Sequence, residues 1–499
     1  MTALTELKEI LYEVNDLNMA QNVLGWDQST NMPVGGALDR SYQLGTLAKL
    51  AHQQFTSDQV GELLQRSQAE TAGLDETSDD ASLVRVAGKQ YSRARKVSAK
   101  WIEKFVQVTS NAQTVWEKAK QEADFPLFQP HLSEIFELRK EYSSFFQPYE
   151  HIYDPLLDEF EPGLKTAEVQ RIFNDIRPHQ IKLISAIQQA EPVRDDFLYL
   201  NYAKDAQWQF GMNVIKKFGF DFEHGRQDIS VHPFTTNFGL GDVRITTRID
   251  ENYLPTALFG SMHEAGHAMY EQNISPSLRR TLLCGGASMA IHESQSRLWE
   301  NMVGRSAMFW QHFYPALVKL FPSQLGNVDL RTFYRGINYV KPGMIRVEAD
   351  EATYNLHIML RMEIEIAVLE GKIAVKDLPA VWNEKMKSYL GIVPSNDAEG
   401  VLQDVHWSGG MMGYFPTYAL GNIVSAQVWE KLNSENPNLM DQISKGEFKL
   451  MLTWLADRIY QHGSKFEPKQ IIRNISGGDL QAAPYIHYLE NKYQDIYNL

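Results

Sequence analysis

Cysteine is almost missing: Cys284 is the single thiol in 499 residues, so no disulfide can close within the chain and a reducing compartment is expected. No run of about 20 apolar residues occurs, which argues against a membrane span. The opening Met1-Thr-Ala-Leu-Thr-Glu-Leu-Lys-Glu-Ile has no basic stretch followed by an apolar one, so no secretory signal is read and a cytoplasmic location is expected. Basic residues are in deficit, with 48 Lys and Arg against 62 Asp and Glu; the resulting net charge of −14 argues against a nucleic-acid partner. An acidic chain can still hold a locally basic pocket, so the balance says little about a small ligand. There is no internal repeat and no low-complexity linker that would separate independent domains. What remains, 43% hydrophobic and 22% charged residues, is the composition of an ordinary globular protein long enough to bury a large core.

The pattern is mostly helical. Leu4, Leu7, Ile10, Leu11 and Val14 recur at helical spacing, and residues 1 to 225 read as helices separated by turns. Trp26 to Pro33 with Gly35-Gly36 reads as a loop, a helix is expected from Ala37 past Leu50, and the acidic stretch from Glu70 to Ser82 reads as an exposed loop. One long helix or a pair is expected over 83 to 122. Between 227 and 249 the period changes: Asp228 to Phe234 and Val243 to Arg248 alternate as strands, with Gly239 and Gly241 between them. Val243 and Ile245 would face one way, Arg244 and Thr246 the other. Such a strand can pair with an extended peptide; it can equally be a structural hairpin. Residues 431 to 499 read as scaffold helices.

The chemistry concentrates in Ser261-Met-His-Glu-Ala-Gly-His-Ala-Met-Tyr270. His263-Glu264-x-x-His267 places two imidazoles four residues apart, on one face of a helix, where both can reach one ion. Glu264 projects beside that face, badly placed as a ligand but able to reach a water at the metal. Chance would supply this pattern only roughly 0.02 times in a chain of this composition. Leu254, Leu258, Met262 and Met269 give the helix an apolar side, and Asn273 and Pro276 mark its end.

Catalytic zinc needs a third protein ligand. Glu293, in Ile291-His-Glu-Ser-Gln-Ser-Arg297, lies on what reads as the next helix, about 286 to 311, after Gly285-Gly286. Neighbouring helix positions point about 100° apart, so only one of His292 and Glu293 can face the ion. Glu293 is taken as the ligand and His292 as a hydrogen-bonded residue behind it. Arg346, beside the Pro342-Gly343 turn, fits either of two roles: a fork for a substrate carboxylate, or an ion pair with Glu348, Asp350 or another acid. The Gly-rich segment from Gly400 to Tyr418 carries His406, Tyr414 and Tyr418, which are either donors to a developing oxyanion or packed aromatics at a turn.

Six motifs in order carry a likeness. They are His232-Pro-Phe234, Asp242-x-Arg244-x-Thr246, His263-Glu264-x-x-His267, His292-Glu293-Ser294-Gln295, Ile345-Arg346-x-x-Ala349-Asp350, and Gly400-x-x-Gln403-Asp404-x-His406-Trp407. Together with Trp26-Asp27-Gln28 and Met32-Pro33 they span about residues 20 to 425, and the chain resembles the Taq-type thermostable metallocarboxypeptidases, peptidase family M32. The resemblance implies a mainly α, neurolysin-like fold: two lobes, a deep cleft and a small sheet beside the HExxH helix. It implies one catalytic domain over 1–499, with an N-terminal helical part to about 225, a metal-site region about 226–425 and a C-terminal scaffold about 426–499. It implies a homodimer that removes single residues from peptides with a free C-terminal carboxylate, with broad specificity. His263, His267 and Glu293 match the family's zinc ligands, with cobalt the other candidate ion, and Glu264 matches its acid/base. Arg346 matches the residue receiving the terminal carboxylate, with His232 and Arg244 blocking longer peptides. His406 and Tyr418 match transition-state donors, with Tyr414 in reserve. The rival expectations are an oligopeptidase that cuts internally with the same metal chemistry and a non-catalytic peptide-binding protein with a structural metal.

Overall fold

The computed structural model describes residues 2–499, and helices dominate it. The first helix, Ala3–Thr30, opens on Thr2, whose hydroxyl accepts the Thr5 N–H at 3.2 Å, and it buries Ala3, Leu7, Leu11 and Val14 along one stripe. It continues through the segment expected to be a loop at 26 to 30. Nothing in Trp26-Asp-Gln-Ser-Thr breaks a helix, and the Thr30 hydroxyl folds back to the Trp26 carbonyl at 2.7 Å. The following helix, Ala37–Phe55, begins where expected. The acidic loop is shorter than 70 to 82, because Asp79 and Asp80 sit in the first turn of Asp79–Lys96, where the helix end favours negative charge. The segment 83 to 122 divides between Asp79–Lys96 and Ala99–Glu122, the second capped by Ser98.

The chain forms two compact units. The first comprises Met1–Arg95 (described from Thr2), Arg194–Ile337 and Val428–Gly478. It holds a three-stranded sheet, β1 (Gly225–Ile229), β2 (Thr235–Asn237) and β3 (Val243–Thr247), in the order β1-β3-β2. β1 runs parallel to β3 and β2 antiparallel to it, with Gln227 and Thr235 both opposite Ile245. The strand expected at 228 to 234 therefore starts earlier and stops at Ile229. Pro233 has no N–H to give a ladder, and the chain turns there to return as β2. Val243, Ile245, Thr246 and Thr247 are buried, so Thr246 does not share a partly open face with Arg244; its hydroxyl instead lies 2.7 Å from Ser230 Oγ and 2.9 Å from the Phe234 N–H.

The helix Pro255–Gln272, with Pro255 in its first turn, packs on β3, on the helix Lys204–Phe218 and on the helix Met289–Arg297. The last of these is shorter than the expected 286 to 311. Ser288 caps it by accepting the Ile291 N–H at 3.1 Å, and after Arg297 it widens into a π-helical turn, Leu298–Val303, before a separate helix, Ala307–Leu320. Phe218 packs against Trp299 and Phe448 behind this turn, at ring separations of 4.6 and 4.9 Å.

The second unit comprises Lys96–Val193, Asn338–Gln427 and Asp479–Leu499. Its helix Glu351–Leu369 is capped by Asp350, which accepts the Ala352 and Thr353 N–H groups, and is buried on nearly every side. His357, Arg361 and Glu365, spaced by four, consequently form a buried polar stripe that needs partners. For Arg361 and Glu365 these come largely from residues 403–413. Trp407 and the Gly413 N–H bind the Glu365 carboxylate at 2.8 and 3.1 Å, and Tyr153 binds it at 2.6 Å. Gly413 is obligatory: its φ is +93°, and an added Cβ would stand 2.5 Å from the Leu156 carbonyl oxygen. Among the described residues no helix is long and apolar enough to cross a membrane.

Candidate metal centre and a buried cationic cluster

Helical spacing brings His263 and His267 to one face of Pro255–Gln272, and Glu293 meets them from Met289–Arg297. One ligand atom from each lies within 4.8 Å of the others. Glu293 Oε2 stands 3.6 Å from His263 Nε2 and 3.3 Å from His267 Nε2. Ligands about 2.0–2.2 Å from one tetrahedral ion lie roughly 3.4 Å apart, so the set has the dimensions of such a site. The approach depends on Gly266: a Cβ there would sit 2.7 Å from the Gln295 carbonyl oxygen and from Ser296 Cα.

The other nitrogens of both rings are already committed. His263 Nδ1 donates to Glu300 Oε2 at 2.9 Å. His267 Nδ1 is 2.6 Å from His292 Nδ1, and His292 Nε2 is 2.7 Å from Glu271 Oε1, which belongs to the motif helix itself. A carboxylate only accepts, so His292 Nε2–H donates to Glu271, His292 Nδ1 accepts from His267 Nδ1–H, and the lone pair of a neutral His267 is left on Nε2. In their neutral forms both imidazoles therefore present Nε2 lone pairs toward Glu293, and the carboxylates that raise His263 would be offset by a bound cation. Asn237 of β2 holds the far oxygen of Glu271 at 2.8 Å. Glu293 Oε1 is taken by Arg297 Nε at 2.7 Å, while Oε2, which accepts the Ser296 hydroxyl at 3.1 Å, is the oxygen that faces the two imidazoles.

The electrostatics suit a cation. Burial opposes the charge on Glu293, but Arg297, His263 and His267 outweigh it and hold this carboxyl well below the usual range. Glu300 is likewise held at about 2, against burial, chiefly by Arg297 and His263. Burial pushes His267 down to about 3, the neutral form a ligand needs. Burial also works on His263, but Glu293 and Glu300 overcome it and raise that group; the same field attracts a metal ion. Glu264 is 6% exposed and raised by burial, and its Oε2 accepts the Thr235 hydroxyl of β2 at 2.6 Å. Donor chemistry, spacing and charge fit a divalent ion with a carboxylate base alongside.

Two further candidates belong to the same unit. Arg244 is gripped by Asp242 through two hydrogen bonds of 2.8 and 2.7 Å and stacks over Trp26 and Phe238 at 4.4 and 4.9 Å. His232 is exposed on the turn before β2.

The second unit gathers Arg346, His406, Tyr414 and Tyr418. Arg346 is 5% exposed. Its acid partner is neither Glu348 nor Asp350 but Asp404, whose Oδ1 accepts Nε at 3.0 Å and Nη2 at 2.8 Å, while Nη1 donates to the Tyr354 hydroxyl at 3.0 Å. These three bonds use three of the five guanidinium N–H groups. Asp404 Oδ2 is taken by Arg361 Nε at 2.7 Å and Nη2 at 2.5 Å, and Gln403 Oε1 accepts both the Arg346 backbone N–H and Arg361 Nη2. His406 Nε2 lies 3.3 Å from the Tyr418 hydroxyl, and the Tyr414 and Tyr418 rings meet edge to face at 5.2 Å. Burial pushes His406 down to about 4 and raises Tyr418, so both are neutral with protons to donate.

Glu300, Glu271, Thr235 and Arg361 were not singled out in the sequence. Their signals are weak because each acts on a residue outside its own motif, or, for Glu300, across a change of helix type.

Comparison with known proteins agrees along the whole chain. The family described as Carboxypeptidase Taq (M32) metallopeptidase matches residues 6–493. Carboxypeptidase 1 of Bacillus subtilis is 39% identical over 495 residues, covering 99% of this chain and 98% of its own. Thermostable carboxypeptidase 1 of Thermus thermophilus is 39% identical over 482 residues, covering 95% of this chain and 94% of its own. The crystal structure of the M32 carboxypeptidase from Deinococcus radiodurans superposes with a TM-score of 0.97 at 37% identity, covering all of both chains.

Proposed function

The chain belongs to the carboxypeptidase Taq (M32) metallopeptidase family and is a metallocarboxypeptidase acting on peptides, and on that premise we propose that it releases single C-terminal residues with broad specificity, with one zinc ion per chain held by His263, His267 and Glu293. The observation that carries this reading is the convergence of two Nε2 lone pairs on Glu293 Oε2, with the Glu264 carboxylate one residue on from His263. Two imidazoles and a carboxylate are a zinc donor set; cobalt is the alternative ion. When bound, the ion supplies Lewis acidity, polarising the scissile carbonyl and making water more acidic.

The remaining work falls to side chains. Glu264, aligned by Thr235 and made more basic by burial, takes a proton from the attacking water and returns it to the leaving amine. His406 and Tyr418 donate to the oxygen on which negative charge develops, with Tyr414 in reserve. Arg346 receives the terminal carboxylate with the N–H groups that Asp404 and Tyr354 leave over, and His232 and Arg244 limit the length of peptide beyond the scissile bond. A single catalytic domain, a homodimer, a cytoplasmic setting and the lack of a nucleic-acid partner complete the proposal; they rest on the family likeness, the scarcity of cysteine and the acidic charge.

Mass spectrometry of an N-acylated decapeptide, as free acid and as C-terminal amide, tests the mode of cleavage. Stepwise loss of single residues from the free acid alone, abolished by a chelator, is the expected result. Internal cuts in both peptides would make the enzyme an oligopeptidase and return Arg346 to a structural role.

A further inference from the structure

Arg361 is fully buried and touches no solvent, yet it shares its only acid with another guanidinium. Asp404 binds Arg346 through Oδ1 and Arg361 through Oδ2, and among the described residues neither arginine has a second carboxylate partner. Two guanidiniums and one carboxylate leave one positive charge over. The neighbouring titratable side chains do not offset it: burial holds His357 at about 3 and His406 at about 4, so both are neutral, and Tyr418 keeps its proton. Lys120 adds a cation nearby, donating to the Gln403 carbonyl at 2.8 Å. A buried charge without a partner is costly, and such an excess is expected where an anion is to be received.

We infer that Arg361 is a specificity-determining residue: by neutralising Asp404 from behind, it leaves the charge of Arg346 uncompensated and available to the free carboxylate of a peptide. Asp404 alone would align Arg346 but also cancel it, making a neutral pair with little preference for an acid over an amide. Arg361 separates the two effects. Its remaining bonds, Nη1 to the His357 carbonyl at 2.6 Å and Nη2 to Gln403 Oε1 at 2.7 Å, fix it in place without adding negative charge. The inference rests on the reading that Arg346 receives the terminal carboxylate.

The test uses the full-length, metal-loaded enzyme and its Arg361→Gln, Asp404→Asn, Arg361→Gln/Asp404→Asn and Arg346→Gln variants. KM and kcat are measured on a free-acid peptide, together with competition by an N-acylated amino acid as free acid and as amide. Arg361→Gln is expected to weaken binding of the acid by about tenfold or more, to leave the amide unmoved and to act mainly on KM. Adding Asp404→Asn restores the excess charge while the asparagine oxygen still accepts from Arg346, so the double variant is expected to recover to within about threefold of the native enzyme. A packing role for Arg361 predicts the reverse, a double variant no better than the single. Unchanged acid binding in Arg361→Gln, or failure of the double variant to recover, overturns the inference. Should Arg361→Gln not fold, Arg361→Lys keeps the charge behind Asp404 without the fork and is expected to keep the acid-to-amide preference to within about threefold; loss of that preference there overturns the inference. If Arg346→Gln also leaves the acid-to-amide preference intact, the reading of Arg346 itself is wrong; if only Arg361→Gln does, that reading stands and the inference alone falls.

Discussion

Glu300 shows how a residue outside the ligand set can govern the centre. Its carboxylate accepts from His263 Nδ1 and is itself held by Arg297, with Arg305 within 3.5 Å. That fixes which nitrogen of His263 keeps a lone pair and where it points. Glu300→Gln should therefore lower metal affinity by about 10–100-fold while the fold persists; competition with a metallochromic chelator measures it, and native affinity in the variant would deny the role. His267 reaches the same end by a different route, through His292 to Glu271. His263, Glu264 and His267 were legible in the sequence because their relation is local and helical. Glu271, Glu300 and Thr235 were not, because their roles exist only once separate segments meet.

At the scale of elements, the centre is a contact between two helices. Pro255–Gln272 and Met289–Arg297 approach so closely at Gly266 that a methyl group would strike the backbone of Gln295 and Ser296. Gly266→Ala should cost about 1–3 kcal/mol of stability and, by moving Glu293 away from the two imidazoles, also weaken metal binding. Denaturant titration with metal analysis checks both, and an unchanged metal affinity would show that the close approach does not set the ligand spacing. The π-helical turn Leu298–Val303 explains why the sequence misled over 286 to 311: α-helical periodicity continues to Arg297 and then changes phase, which carries Glu300 back toward His263. The strand near 228 differed for a similar local reason, since alternation continued to Phe234 whereas β1 stops at Ile229 and the chain turns through 231 to 233 before pairing again as β2. The helix from Ala37 and the motif helix, marked by turn residues at their ends, were readable.

Across the whole molecule, buried imidazoles couple stability to pH. His357 ionises only near 3 in the folded chain, chiefly because it is buried, against an ordinary 6.5. Below 6.5 the unfolded chain takes up a proton that the folded chain refuses, so stability falls as pH falls from 6.5 toward 3, by about 1.4 kcal/mol per pH unit for this group. The stability gap between native protein and His357→Gln should accordingly narrow by about 2 kcal/mol between pH 6.5 and pH 5; a gap that stays constant would place the proton elsewhere. The centre itself is tested most directly by Glu264→Gln, with bound zinc and peptide turnover measured on the same sample. A zinc content equal to that measured for the native sample, with turnover lower by about two to four orders of magnitude, is the predicted result. Near-native turnover in a zinc-loaded variant would contradict the assignment of Glu264 as the group that moves the proton.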